Sequence, residues 1–383
     1  MKQKIAILCS TSVTIETFFI YHIKYLLPYY DITLISNFEK NKKFDKIFKE
    51  VNILDLNIKR RYSILSDFFN LIFLIFHFIK NNYILTLSCT PKAGFLCSVS
   101  SFIAGNKIRV HFFTGQVWAT KRGIEKTFLK FLDKIISFLS TDLLTDSFSQ
   151  KEILIKNKIT NNKKIQVLGN GSIAGVNFKI FNSNNIIKKK IRDNYNIPLD
   201  STVILFLGRL NKDKGILDLI KAYENLIKKN SLKNLYLFIV GPDEIEINKY
   251  INSHINYFIR FENYTSRPND FMCASDIFCL PSYREGFGMS AIEAGACNLP
   301  VVCSRIYGLT DSVKENITGL MHEPGNIKQI EACLTKLISN PDLRNKMGKF
   351  ARQRGIKYFN QEYVTQQLYF FIKFKINNLM KKS

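Results

Sequence analysis

The sequence predicts an α/β protein made of two doubly wound parallel-sheet domains in tandem. Short apolar, β-rich runs alternate with longer amphipathic stretches, the mark of consecutive βαβ units. The alternation comes as two series, separated by a polar Lys/Asn-rich stretch around Phe178–Asn196 that includes Lys188-Lys189-Lys190. At 383 residues the chain also exceeds what one hydrophobic core ordinarily holds, so two units of roughly 180 residues are expected.

The first series opens with Lys4–Cys9. Its apolar part is too short for a signal peptide and reads as a first buried strand. Ile32–Ser36, Tyr83–Ser88, Arg109–Phe113, Leu143–Asp146 and Lys164–Leu168 follow as strands. The greasiest segment, Phe68–Ile79, is bounded by Asp67 and Lys80. It falls short of the ~20 residues that span a bilayer. A buried helix is the expectation, with a helix lying in a membrane interface as the second reading. The second series has strands Val203–Leu207, Leu235–Gly241, Ile277–Pro281 and Pro300–Ser304. The domains are therefore expected at 1–180 and 181–360. Residues 361–383, rich in aromatics (Tyr363, Tyr369, Phe370, Phe371, Phe374), form a C-terminal helix expected to pack back on the first domain. Membrane contact through Lys375, Lys381 and Lys382 is the other reading of that helix. Two such domains facing each other bind ligands in a cleft at the carboxyl edges of their strands.

The formal charge is +24, and it is uneven: about 30 Lys and Arg oppose 13 Asp and Glu in residues 1–195. A basic surplus suits nucleic acid, an anionic membrane face or an acidic small substrate; solvated lysines from a codon bias toward Lys, Asn and Ile are the plain alternative. No zinc-finger spacing and no RNP-type aromatic motif supports nucleic acid. The eight cysteines include no Cys-x-x-Cys and several lie in apolar strand-like runs, as reduced core residues of a cytoplasmic protein do.

Three constellations carry chemistry. After strand Val203–Leu207 the chain reads Gly208-Arg209-Leu210-Asn211-Lys212-Asp213-Lys214-Gly215. Gly208 is expected to allow a sharp turn. Arg209 and Lys214 then project from a loop that enters a helix, a fork and a point charge suited to a diphosphate. An exposed turn with incidental lysines is the alternative.

The second is Glu285-Gly286-Phe287-Gly288-Met289-Ser290-Ala291-Ile292-Glu293. Two acids flank a Gly-Phe-Gly turn that opens into a helix. Backbone N–H groups of Gly286, Phe287 and Gly288, with the helix N-terminus, suit a phosphate-bearing sugar. The carboxylates suit hydroxyl pairs, Glu293 a ribose diol and Glu285 the transferred sugar; a solvated Glu pair around an ordinary turn is the alternative.

The third lies in the first domain, at Thr90-Pro91-Lys92 and Thr114-Gly115-Gln116-Val117-Trp118, both after strand ends. Lys92 can meet an anionic acceptor, with Thr114 and Gln116 beside it. Trp118, the only tryptophan, either stacks on a sugar or anchors packing. Among the histidines, His77 reads as core, and strand alternation can turn His111 inward. No metal-binding H-E-x-x-H or D-x-D cluster occurs, so no metal or other cofactor is expected.

With these residues in hand, the chain resembles the retaining glycosyltransferases of family 4, which have the GT-B architecture. The carrying residues are Gly208-Arg209 with Lys214-Gly215, Val240-Gly241, Ala274-Ser275-Asp276 with Leu280-Pro281-Ser282, the Glu285/Glu293 pair, and Pro300-Val301-Val302. The resemblance implies sugar transfer from a nucleotide diphosphate donor, a UDP-sugar foremost, with retention at the anomeric carbon. Arg209 and Lys214 would hold the diphosphate, Glu293 the ribose, and Glu285 the donor sugar. The strings around Lys92 and Thr114–Trp118 look like a subgroup that builds bacterial surface polysaccharides, such as O-antigen or capsule, on lipid-diphosphate carriers. That subgroup implies work at the inner face of the cytoplasmic membrane.

Two departures stand out. The loop Ser10-Thr11-Ser12-Val13-Thr14-Ile15-Glu16 lacks the Gly-Gly that many members carry there, and Thr114-Gly115 replaces their His-Gly pair. Competing classes are a GT-B sugar-nucleotide epimerase or phosphorylase, and a non-catalytic basic protein that binds polyanions.

Overall fold

A computed structural model of the chain describes residues 2–38, 50–59, 63–230, 234–251 and 257–381. The chain divides into two compact units, Met1–Gly175 with Gln361–Ser383, and Val176–Asn360.

The first unit holds β1 (Gln3–Thr11), β2 (Tyr30–Asn37), β3 (Asn52–Asp55), β4 (Leu85–Cys89), β5 (Ile108–Phe113), β6 (Asp142–Thr145) and β7 (Ile165–Val167). They form one sheet in the order β3-β2-β1-β4-β5-β6-β7, with the paired strands parallel. In β1, Ile5 through Ser10 are buried without interruption. A central parallel strand is covered on both faces, so it reads as a continuous apolar run rather than an alternating one. Around the sheet lie α1 (Ile20–Leu26), α2 (Ile64–Asn81), α3 (Pro91–Ile103) and α4 (Gly123–Leu139).

The second unit holds β8 (Thr202–Leu207), β9 (Leu235–Val240), β10 (Ile259–Glu262), β11 (Ile277–Leu280), β12 (Val301–Ser304) and β13 (Gly319–His322), in the order β10-β9-β8-β11-β12-β13. Its α5 (Ile216–Asn230) follows β8, and α6 (Met289–Ala296) follows β11. A buried staple fixes the start of β8. Asp276 accepts from the Val203 N–H at 2.8 Å and from fully buried Arg192 at 2.7 Å. Arg192 also donates to the carbonyls of Ala274, Leu199 and Ser201. A charge so deeply buried is tolerable because its donors meet acceptors.

The central strands lie where the sequence predicts them, within a residue or two. β3, β10 and β13 are missing from that prediction. All three are four-residue edge strands held by a neighbour on one side only, so their apolar signal is short.

Two helices deserve separate notice. α2 is 18 residues long, not 12, and the expectation that it is buried is corrected. Only Asn70, Leu74 and Phe78 are buried, whereas Ile64, Leu65, Phe68, Phe69, Phe73, Phe76 and Ile79 are exposed. It is long and apolar enough to cross a membrane by length and composition only. The C-terminal helix α7 (Gln361–Met380) packs on the first unit. Thr365 meets His22 of α1 at 2.7 Å, the Tyr369 ring packs tilted against Tyr29 with centroids 4.6 Å apart, and Lys375 pairs with Asp142. Lys382 lies outside the described residues.

Candidate functional site

In the second unit the chain runs from β8 outward to β9 and β10, then returns to the other side of β8 with β11. The switch in direction falls between β8 and β11, and a doubly wound sheet opens a crevice at the carboxyl ends of such a pair. The loop after β8 carries Arg209 and Lys214; the loop after β11 carries Glu285.

These loops are locked together. Gly215 has φ +69°, and a Cβ there would lie 1.9 Å from the Pro281 carbonyl oxygen. Gly241, after β9, has φ +141°, and a Cβ would lie 1.9 Å from the Gly208 oxygen. In the loops after β8 and β9, the glycines that geometry requires are thus Gly215 and Gly241. Gly208 has no positive φ, and a Cβ on it would meet only the Phe206 ring at 4.0 Å. This corrects the expectation that Gly208 makes the turn; it continues the ladder by donating to the Val240 carbonyl at 2.9 Å. Further stitches run from the Tyr283 N–H to the Asp213 carbonyl at 2.8 Å and from Arg284 to Asp213 at 3.2 Å.

The locked loops bring Lys214 and Glu285 into direct contact at 2.5 Å. Ser282 Oγ donates to the same Glu285 oxygen, Oε1, at 2.9 Å. Among the described residues, Oε2 has no hydrogen-bond partner. Arg209 donates to Glu244 Oε1 at 3.0 Å, and Asn211 donates to Glu244 Oε2 at 2.8 Å. Glu244 escapes the sequence reading, although it follows the end of β9 and the strand-end rule points to it. Its carboxylate occupies the guanidinium of Arg209.

Gly288, with φ +83°, caps the N-terminus of α6, and the Phe287 side chain is buried against Phe359 at 5.1 Å. Phe287 thus pins the turn from beneath, leaving only its backbone to face a ligand. Glu293 lies in the second turn of α6. Its carboxyl has no hydrogen bond or ion pair among the described residues, and burial pushes its pKa up to about 7.

The first unit has its own switch, between β1 and β4. Ser10 Oγ and Thr90 Oγ1 lie 2.7 Å apart there. Thr90 has φ +78°, a region that a β-branched residue rarely enters. Lys92 pairs with Asp67 of α2 at 2.8 Å. Thr114 is partly accessible, with Cys89 Sγ 3.8 Å from its hydroxyl.

Gln116 and Trp118 are corrections, because burial keeps both from an acceptor sugar. Gln116 is buried and engages Gln150 at 3.0 Å. Trp118 is 3% exposed and donates its indole N–H to buried Asp133 at 2.8 Å, so it is a packing anchor. Burial pushes the Asp133 carboxyl up to about 7, against the pull of that bond. His111 is buried beside Ser88 at 2.9 Å, and burial lowers its pKa to about 3. His77 is half-buried and bonds Tyr83 OH at 2.9 Å. No group of three or more potential metal ligands occurs among the described residues.

Comparison with known proteins fits this geometry. Residues 187–354, which contain both locked loops, match the family of glycosyl transferases group 1. The chain is 31% identical over 344 residues to the capsular polysaccharide biosynthesis glycosyltransferase CapM of Staphylococcus aureus, covering 88% of each. It is 26% identical to the UDP-Gal:alpha-D-GlcNAc-diphosphoundecaprenol alpha-1,3-galactosyltransferase of Escherichia coli, over 79% of this chain and 78% of that one. Among solved structures, Anabaena Alr3699/HepE in complex with UDP aligns with a TM-score of 0.79 at 16% identity, over 97% of this chain and all of the other. A glycosyltransferase from Rickettsia africae aligns with a TM-score of 0.76 at 22% identity, over the whole of both chains. The two Rossmann-like units are those of the GT-B fold, and the chain belongs to the group 1 glycosyltransferases.

Proposed function

We propose that this enzyme transfers a hexose or N-acetylhexosamine from a UDP-sugar to a lipid-diphosphate-linked saccharide in bacterial polysaccharide biosynthesis, with retention at the anomeric carbon, as a family 4 member. The observation that carries the reading is the Lys214–Glu285 contact at the β8/β11 switch. A diphosphate cation and a hydroxyl acceptor converge there, as a sugar joined to a diphosphate requires. In this reading the incoming diphosphate takes Lys214 from Glu285 and Arg209 from Glu244. Glu285 then accepts from donor-sugar hydroxyls, and Glu293 from the ribose diol.

As the bond to the leaving diphosphate breaks, negative charge grows on its oxygens, where Arg209 and Lys214 stabilise it. Attack on the same face lets a leaving oxygen take the proton of the acceptor hydroxyl, so no enzyme nucleophile is needed. The two side-chain cations carry this charge without a metal in the proposal.

For the acceptor, Lys92 and Thr114 are the remaining candidates. The E. coli relative, named for a diphosphoundecaprenol acceptor, supports the lipid carrier, and the S. aureus relative supports a capsule-type product. Peripheral attachment to the inner face of the cytoplasmic membrane is supported by the +24 charge and the exposed apolar face of α2.

The test is a thermal-shift panel of nucleotide sugars followed by turnover of Arg209→Ala. A specific upward shift with one UDP-sugar identifies the donor through linkage. Loss of about 100-fold or more in turnover is expected in the variant. Wild-type turnover in Arg209→Ala, or a response to GDP-sugars alone, overturns the corresponding part of the proposal. Activity that persists in chelator supports the absence of metal, and activity lost to chelator and restored by a divalent ion refutes it.

A further inference from the structure

A cavity of about 530 Å³ lies in the first unit between α2, α3 and α4. Its size and its mostly apolar lining are those of small-molecule sites. Phe68 and Leu71 of α2, Phe95 of α3, and Phe128 and Leu132 of α4 form its walls. The polar groups along it are paired with one another, Lys92 with Asp67 and the Trp118 N–H with Asp133.

The lining of this cavity is of two kinds. Pro91 and Lys92 come within three residues of the end of β4, and Val117 and Trp118 come shortly after β5, at the carboxyl edge of the sheet. Ile64, Phe68 and Phe128 are 87%, 57% and 50% exposed, so the lining continues into the open apolar faces of α2 and α4. Lys130 of α4 places its Nζ 5.1 Å from the centre of the Trp118 ring. An apolar groove with open, greasy edges, and with a lysine at the sheet edge that an incoming diphosphate would draw from Asp67, complements a hydrocarbon chain with an anionic head.

We propose that this groove seats the isoprenoid segment next to the diphosphate of the acceptor's carrier, with Lys92 at the head group. The inference rests on the lipid-linked acceptor reading and extends it to a site. The groove draws the chain from the membrane side and delivers the diphosphate to the strand ends, beside Ser10, Thr90 and Thr114. A phospholipid acyl chain and a second copy of this protein are the competing occupants.

Trp118 lines the groove and is the only tryptophan, so its emission reports occupancy. Full-length protein is titrated with farnesyl diphosphate, inorganic diphosphate and anionic phospholipid vesicles free of isoprenoid. A saturable emission change with farnesyl diphosphate, absent with inorganic diphosphate and with the vesicles, is expected. Phe68→Glu with Phe128→Glu puts charge at the mouth on exposed positions and should weaken that binding at least about tenfold while leaving the melting temperature unchanged. Lys92→Gln should weaken farnesyl diphosphate binding while leaving farnesol binding unchanged.

No saturable change, the same affinity in the mouth variant, an equal response to vesicles, or a response that tracks self-association overturns the groove. Its failure is separable from failure of the acceptor reading. If the wild type glycosylates an isoprenoid-diphosphate saccharide and the mouth variant does so with unchanged KM, the groove is wrong and the reading stands. If farnesyl diphosphate occupies the groove but no lipid-linked saccharide is glycosylated, the reading fails and the lipid site stands.

Discussion

Replacing Glu293 by Gln should make the enzyme more stable and a poorer donor binder, with the two effects tied together by pH. The carboxyl sits in α6 without a partner among the described residues, and burial moves its pKa from the ordinary 4.5 to about 7. A raised carboxyl pKa means that the folded state holds its proton more tightly than the unfolded state. Stability from this group is therefore complete below the unfolded pKa, falls as pH rises from about 4.5 to 7, and is level above that window. The full shift corresponds to ~3 kcal/mol. Partial solvent access reduces this to ~2 kcal/mol in practice. Gln matches the neutral acid in shape, so Glu293→Gln should unfold like the wild type near about pH 4.5 and be ~2 kcal/mol more stable at about pH 8.

Donor affinity should move the other way. A carboxylate accepts from both ribose hydroxyls, and losing a charged hydrogen bond costs ~1.5–3 kcal/mol, or about 10–100-fold in Kd. In the wild type that affinity should rise with pH and level above about 7, because binding favours the ionised carboxyl. In the variant it should be flat. Denaturant unfolding at both pH values and calorimetric titration with UDP-sugar across the window provide the readouts. Equal stability of the two proteins at about pH 8 would refute the burial argument. Unchanged donor affinity would remove Glu293 from the ribose.

Three more outcomes follow from particular contacts. Gly215→Ala forces a Cβ toward the Pro281 carbonyl at a positive φ, so a loss of ~1–3 kcal/mol and a raised donor KM are expected from unfolding and kinetics; an undisturbed KM would show that the loop lock does not set Lys214. Trp118→Phe leaves buried Asp133 without its donor and should cost ~1–3 kcal/mol in thermal unfolding, whereas an unchanged melting temperature would reject the anchor role. Phe68→Ser, Phe69→Ser and Phe76→Ser together alter exposed side chains of α2, so stability should hold while co-sedimentation with anionic vesicles falls; undiminished co-sedimentation would point to another attachment surface.

Much of the second-unit site is legible in the residue order, because strand-end loops in a doubly wound sheet must lie along one edge. Lys214 and Glu285 are 71 positions apart, yet each lies in a loop that follows a strand, so strand order brings their loops to the same edge. Glu244 obeys the same rule and is missed because three acids, Asp243, Glu244 and Glu246, follow β9 together, and only the fold shows which of them meets Arg209. The first-unit readings fare differently. Gln116 and Trp118 look like ligand groups in sequence, and both prove to be satisfied by buried partners, Gln150 and Asp133. Side-chain orientation at a strand end is set by which partner is near, and Asp133 comes from a helix 15 positions further along.

The sequence by itself determines the two series of βαβ units, their central strands and the cations and acids of the loops after β8 and β11. Periodicity and strand-end position encode these locally. Tertiary structure decides whatever depends on a neighbour distant in the chain. It selects Gly215 and Gly241 rather than Gly208 as the indispensable glycines, because only packing brings another backbone within reach of a Cβ. It leaves the apolar face of α2 uncovered, because burial depends on what else packs there and not on how greasy the helix is. It also opens the groove between α2, α3 and α4, whose walls come from three separate stretches of chain.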